Sequence, residues 1–469
     1  MIQLRDRNVT VMGLGRFGGG LGAARFLVAQ GARVTVTDLK SADQLADSVA
    51  ALRGLPLVLH LGGHDEADFR NADLIVVSPA VPKTAPLLAL ARAAGVPTTS
   101  EMNLFLERCP APIIAVTGSA GKSTTASLLA LALAKRHRTY FGGNIGRSLL
   151  ADLPDLRPTD RVCLEISSFQ LDDAADLRWS PRVAVVTNLS PNHLDHHGTL
   201  AAYVAAKQNI LRFQTAADVA ILSADDPEVA SWSRLAKGEV CYFSTSKGGM
   251  AACGHVSPNA FLDGDEVVLR RDGREDRCPL SDALALPGLH NAANFLAAAL
   301  AAWIEGVPLQ EIAAATRSFT GLPHRLRLVS EIDGVSYYDD SKATTPASAA
   351  VALGSFPGRS LIAIAGGYDK KIDLAPLADA LTNQARTVLL VGATAPLLAE
   401  LLAARNHPHV ESVETVDRAV ERAAEIARPG DVVLLSPGHA SWDQFESYEQ
   451  RGRLFADAVA RFASGRAAV

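Results

Sequence analysis

The stretch Val116-Thr117-Gly118-Ser119-Ala120-Gly121-Lys122-Ser123-Thr124 decides the fold class. It follows the β-branched apolar run Ile113 to Val116 and leads into the Ala/Leu-rich stretch Thr124 to Lys135, so the order is strand, glycine turn, helix. The strict phosphate-loop pattern opens with glycine where Val116 stands here. What remains still suits a phosphate: successive backbone N–H groups form a nest, Lys122 reaches the β/γ-phosphates and the Ser123 hydroxyl binds Mg²⁺. An incidental turn rarely joins a strand to a helix through Gly-Lys-Ser-Thr. ATP is therefore the expected nucleotide, with Gly118, Ser119, Ala120, Gly121, Lys122, Ser123 and Thr124 around its phosphates.

On both sides of this loop, strand and helix patterns alternate in the rhythm of parallel sheets covered by helices. Upstream, strand-like runs at Val9 to Met12, Val34 to Thr37 and Leu74 to Val77 alternate with helical stretches at Leu21 to Gln30 and Ala85 to Ala94. A second unit holds strands at Ile113 to Val116, Arg161 to Leu164 and Val183 to Thr187, with helices at Thr124 to Lys135 and Ala201 to Phe213. Short pieces between Val240 and Arg277, broken by Gly and Asp, read as hairpins decorating that unit. After Gly321-Leu322-Pro323 the alternation resumes at Leu361 to Ala365, Thr387 to Val391 and Asp431 to Leu435. The expected fold is α/β with three consecutive domains, 1–101, 102–321 and 322–469: Rossmann-like, central phosphate-loop type, and again Rossmann-like. The length of 469 residues fits, at roughly 100 to 200 residues per domain. The tail from Ala463 is expected to fray.

Composition narrows the function. With 48% hydrophobic and 20% charged residues the chain is an ordinary globular protein. Lys plus Arg is 45 against Asp plus Glu 50, a net charge of -5, which offers no field for a nucleic-acid backbone. The five cysteines, Cys109, Cys163, Cys241, Cys253 and Cys278, form no C-x-x-C and suggest neither a disulfide framework nor a zinc site. The longest apolar run, Phe295 to Ile304, is about half of the roughly 20 residues a bilayer span needs and reads as a buried helix. No signal peptide is apparent, so a cytoplasmic protein of small-molecule substrates is expected.

Two further sites stand out. Gly13-Leu14-Gly15-Arg16-Phe17-Gly18 follows a strand and opens a helix, with Asp38 ending the next strand. That pattern suits a dinucleotide, any nucleotide diphosphate, or a plain structural turn. Glu165, and His193 in Asn192-His193-Leu194-Asp195-His196, each follow a strand, where an open α/β sheet places its ligands. Both are metal-competent. His196 and His197 read equally as extra ligands or as solvated loop residues and are left out of the metal set, and Lys207, judged on helix position alone, reads as a solvated lysine.

Together these residues resemble the Mur ligase family, the ATP-dependent amide-forming ligases of peptidoglycan synthesis, along nearly the whole chain. The shortened GxxGK[ST]T loop is the family's form, with Ala120 where Asn is common. Glu165, His193, Lys207 in Tyr203-x-x-Ala206-Lys207, and His290-Asn291-x-x-Asn294 match its motifs, as do Phe319 to Arg325 and Asp340-Ser341-Lys342-Ala343-Thr344. Ser436-Pro437-Gly438-His439-Ala440-Ser441-Trp442-Asp443-Gln444-Phe445 resembles the Ser-Pro-Ala-x-Ala-Ser-Phe-Asp run of the branch that adds D-glutamate, departing at Gly438, His439 and Trp442. Asp339 and Thr345 stand where Asn is frequent.

The resemblance implies that D-glutamate is joined to UDP-N-acetylmuramoyl-L-alanine through an acyl phosphate, with ATP becoming ADP and phosphate. It places the uridine diphosphate, rather than NAD, at Gly13 and Gly15, with Asp38, Ser78 and Asn144 as further substrate contacts. Asn291, Asn294, Arg325 and Asp340 join the ATP site, with Lys342 adding charge. Two Mg²⁺ ions are implied, on Ser123, Glu165, His193 and Lys207, the last carrying a CO₂-derived carbamate. Thr344, Lys370, Ser441 and Tyr448 are implied for glutamate, and a monomer with domain closure about residues 101 and 321 is expected. The rivals are an L-glutamate ligase, a folate-polyglutamate ligase, a nicotinamide dehydrogenase and an inactive nucleotide-binding relative. The dehydrogenase leaves Gly121-Lys122-Ser123-Thr124 idle; the folate enzyme needs no uridine-binding first domain.

Overall fold

The computed structural model describes residues 3–14, 19–79, 81–247 and 257–467. Gly15 and Cys253 lie outside the described residues. Three sheets carry the chain, and the α/β expectation holds.

The first sheet holds β1 (Asn8–Met12), β2 (Arg33–Asp38), β3 (Leu57–Leu61), β4 (Leu74–Val77) and β5 (Thr98–Thr99) in the order β3-β2-β1-β4-β5, all parallel. Strand order reverses between β1 and β4, and in open parallel sheets ligands bind at that switch point, outside the carboxyl ends. Gly13, Asp38 and Ser78 lie at those ends.

The second sheet contains β6 (Ile113–Thr117), β7 (Thr139–Gly143), β8 (Arg161–Glu165), β9 (Val183–Val186), β10 (Val219–Ser223), β11 (Glu239–Ser244), β12 (Ala260–Asp263), β13 (Glu266–Arg271) and β14 (Arg274–Pro279). Its order is β14-β13-β12-β11-β10-β9-β6-β8-β7. β6, β9 and β10 are buried along their whole length, as β-branched strands covered on both faces must be. The hairpins expected between 240 and 277 are present at β12 to β14, whereas β11 belongs to none. β11 pairs in parallel with β10, and β12 with β11, so only β12 to β14 turn antiparallel and they lengthen the main sheet. The run Phe295 to Ile304 belongs to the helix Leu289–Ile304 and is buried as far as Trp303.

The third sheet holds β15 (Arg327–Ile332), β16 (Val335–Asp339), β17 (Leu361–Ala365), β18 (Thr387–Val391), β19 (Val410–Glu414) and β20 (Val432–Leu435), ordered β15-β16-β20-β17-β18-β19 with only β15 antiparallel. Separate apolar clusters cover its two faces, one around Leu377 and Leu398, the other around Val420 and Phe455. The last helix runs Tyr448–Ala467, through the segment expected to fray.

The chain forms two compact units, 1–283 with 293–317, and 284–292 with 318–469. The first two sheets share one unit, and a single apolar cluster runs from Val9 and Leu27 through Phe105 to Leu164 and Trp232. Among the described residues no helix is long and apolar enough to cross a membrane.

Candidate active site

In the first unit the loop after β6 is shaped by two glycines whose side-chain positions are taken. Gly118 has φ 151° and Gly121 φ 80°; a Cβ would collide with the Thr187 hydroxyl at the first and the Asn294 carboxamide at the second. Asn188, just past β9, clamps the same loop. Its Oδ1 accepts from Ala120 N at 2.9 Å, its Nδ2 donates to Ala120 O at 3.1 Å and its backbone oxygen accepts from Ser119 N at 3.0 Å. Ser119 Oγ lies 2.9 Å from the Tyr203 hydroxyl, and Thr125 donates to Asn294 Oδ1 at 3.2 Å. The helix Lys122–Leu133 begins there, so its N-terminal N–H groups face the loop.

Two lysines converge on one carbonyl. Lys122 Nζ donates to Gly118 O and Ser119 O, each at 3.0 Å, while Lys207 Nζ donates to Gly118 O at 2.8 Å. Lys207 is 2% exposed, against the solvated position expected from helix periodicity. Tyr203 and Lys207, one turn apart on the helix Leu200–Arg212, both face the loop, the ammonium 4.9 Å from the ring centre. Burial, with repulsion from Lys122, pushes the Lys207 amine well below the usual lysine range, against the pull of Glu165.

Glu165 ends β8 and is 2% exposed. Asn144 donates to its Oε1 at 2.7 Å, whereas Oε2 is buried without a hydrogen-bond partner among the described residues. A buried carboxylate oxygen left so is costly unless a cation meets it, which suits a hard metal ion. The helix Ser168–Ala174 then starts from a Ser167–Gln170 capping box. Its Phe169 packs against His193, His196 and His197, at 5.0, 4.4 and 5.3 Å between ring centres; His196 stays exposed and His197 is half-buried.

At the first sheet, Asp38 accepts from the backbone N–H of Leu14 and of Lys40, both at 2.9 Å, which joins the carboxyl ends of β1 and β2. A Cβ on Gly13 would collide with Ser78. Lys83, on the segment after Ser78, reaches Asp172 at 2.6 Å and Asp173 at 3.0 Å, tying that segment to the helix of Phe169. Between them lies a cleft of about 340 Å³ lined by Ser78, Lys83, Asn103, Phe169, Asp173 and His196 among others.

The second unit gathers its own set at the carboxyl ends of β16, β17 and β20. Asp340 is buried and accepts from Ser436 Oγ at 2.8 Å and Leu326 N at 3.1 Å; burial lifts its carboxyl to about 7. Arg325 Nε is buried without a partner among the described residues. Lys342 lies 5.1 Å from the Tyr448 ring centre, and Lys370 5.3 Å from that of Trp442. Thr344 N donates to Lys342 O at 2.9 Å, and Ser441 is buried. Asn291 lies in this unit's stretch 284–292 and donates to Pro287 O at 2.7 Å.

Sequence reading gave no role to Arg451. It is 1% exposed and joins the strand-end loops, donating to Ser341 O at 2.8 Å, Ser341 Oγ at 2.9 Å and His439 O at 3.0 Å. Nor did it pair His324 with Asp339, whose Nδ1 and Oδ2 are 2.7 Å apart. Arg451 sits in an amphipathic helix, where spacing cannot tell a buried arginine from a solvated one; Asn188 was legible as the residue after a strand.

Three family descriptions cover most of the chain: the Mur ligase MurD-like N-terminal domain over residues 7–100, the Mur ligase middle domain over 116–302, and the Mur ligase glutamate ligase domain over 324–439. A UDP-N-acetylmuramoylalanine–D-glutamate ligase of Roseiflexus sp. (strain RS-1) is 41% identical, with 98% of this chain and 100% of the relative covered. A protein of the same name from Symbiobacterium thermophilum is 40% identical, with 98% of each covered. Among solved structures, the UDP-N-acetylmuramate-alanine ligase of Thermotoga maritima superposes with a TM-score of 0.62 at 21% identity, over 98% of this chain and all (100%) of that one. That last likeness speaks for the fold. By its three matched domains and its full-length identity, the chain belongs to the Mur ligase family.

Proposed function

We propose that the protein joins the amine of D-glutamate to the L-alanine carboxylate of UDP-N-acetylmuramoyl-L-alanine, converting ATP to ADP and phosphate, in peptidoglycan precursor synthesis. The observation that carries this reading is the strand-end cluster of the first unit: a glycine phosphate loop, Lys122 and Lys207 on one carbonyl, and Glu165 with an unmet buried oxygen. The names of the full-length relatives support the choice of amino acid.

Joining an amine to a carboxylate in water is uphill, so the carboxylate is first made into a mixed anhydride. Its oxygen attacks the γ-phosphorus of ATP, ADP leaves, and the glutamate amine then attacks the acyl carbon and expels phosphate. Two anions meet in the first step, so positioned positive charge is the main requirement. Lys122 and the N–H groups of residues 118–124 take the phosphates; Asn291, Asn294, Arg325, Asp340 and Lys342 complete the nucleotide contacts. The chemistry of a bound Mg²⁺ is charge neutralisation and oxygen alignment, and Ser123, Glu165 and His193 would hold it. Lys207 fits a carbamate: its amine, driven toward the neutral form, adds to CO₂ and releases a proton, leaving an anionic oxygen donor where a cation stood. Gly13, Gly15, Asp38, Ser78 and Asn144 hold the uridine nucleotide, and Thr344, Lys370, Ser441 and Tyr448 the glutamate. The protein acts in the cytoplasm as a monomer.

The test is phosphate release from ATP and Mg²⁺ with UDP-N-acetylmuramoyl-L-alanine, comparing D-glutamate, L-glutamate and no amino acid, with bicarbonate present. Release only with D-glutamate is expected. Turnover with L-glutamate alone, or none from folded protein, overturns the reading.

A further inference from the structure

Lys370 differs from its neighbours on the loop after β17. Lys371 is neutralised by Asp369 at 2.5 Å, whereas among the described residues no carboxylate lies within ion-pair distance of Lys370. Its ammonium lies instead 5.3 Å from the ring centre of Trp442. That indole is 64% exposed and its ring centre is 5.7 Å from that of Tyr368. The backbone fixes the aromatic pair, because Tyr368 N donates to Ala440 O at 2.9 Å and so binds the loop after β17 to the loop after β20. Trp442 is also a place where this chain leaves the Phe of the resembling run.

We infer that Trp442 is a positioning residue for the amino-acid substrate: its indole face holds the Lys370 ammonium in place without neutralising it, so that the cation meets the carboxylate of glutamate already oriented. An ion-pair partner would restrict Lys370 equally well but would compete with the incoming carboxylate. A π face attracts the cation through its quadrupole and leaves the N–H donors free. A long exposed lysine otherwise loses rotamer freedom on binding, and holding it beforehand recovers affinity. Trp442 is mostly exposed, so replacing it leaves no core cavity.

This inference rests on the proposed D-glutamate ligase reading, and the experiment separates the two. Steady-state turnover of the full chain is followed while D-glutamate is varied at saturating ATP, Mg²⁺ and nucleotide substrate, for the unaltered protein, Trp442→Phe and Trp442→Leu. Trp442→Leu, apolar but without a π face, is expected to raise KM for D-glutamate about two- to fivefold, with kcat and KM for ATP little changed. Trp442→Phe is expected to stay near the unaltered protein. Equal KM values in all three, or an equal rise for Phe and Leu, overturn the cation–π role while leaving the ligase reading intact. A fall in kcat together with a rise in KM for ATP shows a structural role and overturns it as well. An unaltered protein that does not turn over D-glutamate overturns the ligase reading, and this inference with it.

Discussion

A buried lysine beside a second lysine is costly as a cation, and Lys207 is in that position next to Lys122. The neutral amine is the nucleophile toward CO₂, so the burial that destabilises the ammonium opens that route, and the Lys122 cation that repels the ammonium would attract the carbamate anion. Arginine keeps its charge and cannot follow that route. Lys207→Arg and Lys207→Ala are each expected to lower kcat on the order of a hundredfold, and turnover of the unaltered protein should fall in CO₂-depleted buffer and return with bicarbonate. Full activity in Lys207→Arg would contradict the carbamate. Asp340 is the opposite case, a carboxyl raised from 3.8 to about 7, chiefly by burial. The folded state holds this proton more tightly than the unfolded chain, so its contribution to stability is full below 3.8 and is lost as pH rises through about 7. Without nucleotide, melting temperature should therefore carry a downward pH dependence across that window, which Asp340→Asn flattens; an unchanged slope in the variant counts against it. Neither burial was readable from residue type. The motifs marked Lys207 and Asp340 as site residues, but how dry a position is depends on packing from distant segments.

The elements around the site are set by local rules that the sequence did carry. Strand, glycine turn and helix at residues 113–133 stand where periodicity puts them, and so do β1, β4, β17 and β18. Between 240 and 277 the local texture of short strands was readable, but not that they extend a nine-stranded sheet, since pairing to β10 is non-local. The capping box at Ser167 fixes the helix that follows Glu165. Ser167→Ala is expected to cost about 1 kcal/mol by denaturant midpoint and to raise the Mg²⁺ needed for half-maximal rate; a stable variant with unchanged Mg²⁺ demand would show that this helix does not position Glu165. In the phosphate loop, Gly118→Ala places a Cβ against Thr187 at φ 151°. Loss of ATP affinity by more than about tenfold, with a normal far-ultraviolet spectrum, is the expected result; unaltered affinity would mean that the loop tolerates a side chain there.

At the scale of the molecule, the two units each have their own sheets and apolar clusters, so unfolding should show more than one transition. Gly13, Asp38, Ser78 and Asn144 all belong to the first unit. UDP at about a hundred times its Kd should therefore stabilise that unit by about 2.7 kcal/mol and leave the other transition in place; calorimetry with and without UDP reads this, and equal movement of both transitions would contradict the assignment. Three α/β domains were legible from alternation alone, in line with the matches over 7–100, 116–302 and 324–439, but the apolar cluster joining Val9 to Trp232 was not, because it crosses long stretches of sequence. The chemistry proposed for the whole molecule makes one demand that no binding protein or dehydrogenase meets. With UDP-N-acetylmuramoyl-L-alanine labelled with ¹⁸O in the alanine carboxylate, activation by ATP must move one labelled oxygen into phosphate when the amide forms. Phosphate carrying one ¹⁸O for each amide made is the expected result, and unlabelled phosphate would contradict an acyl-phosphate ligase.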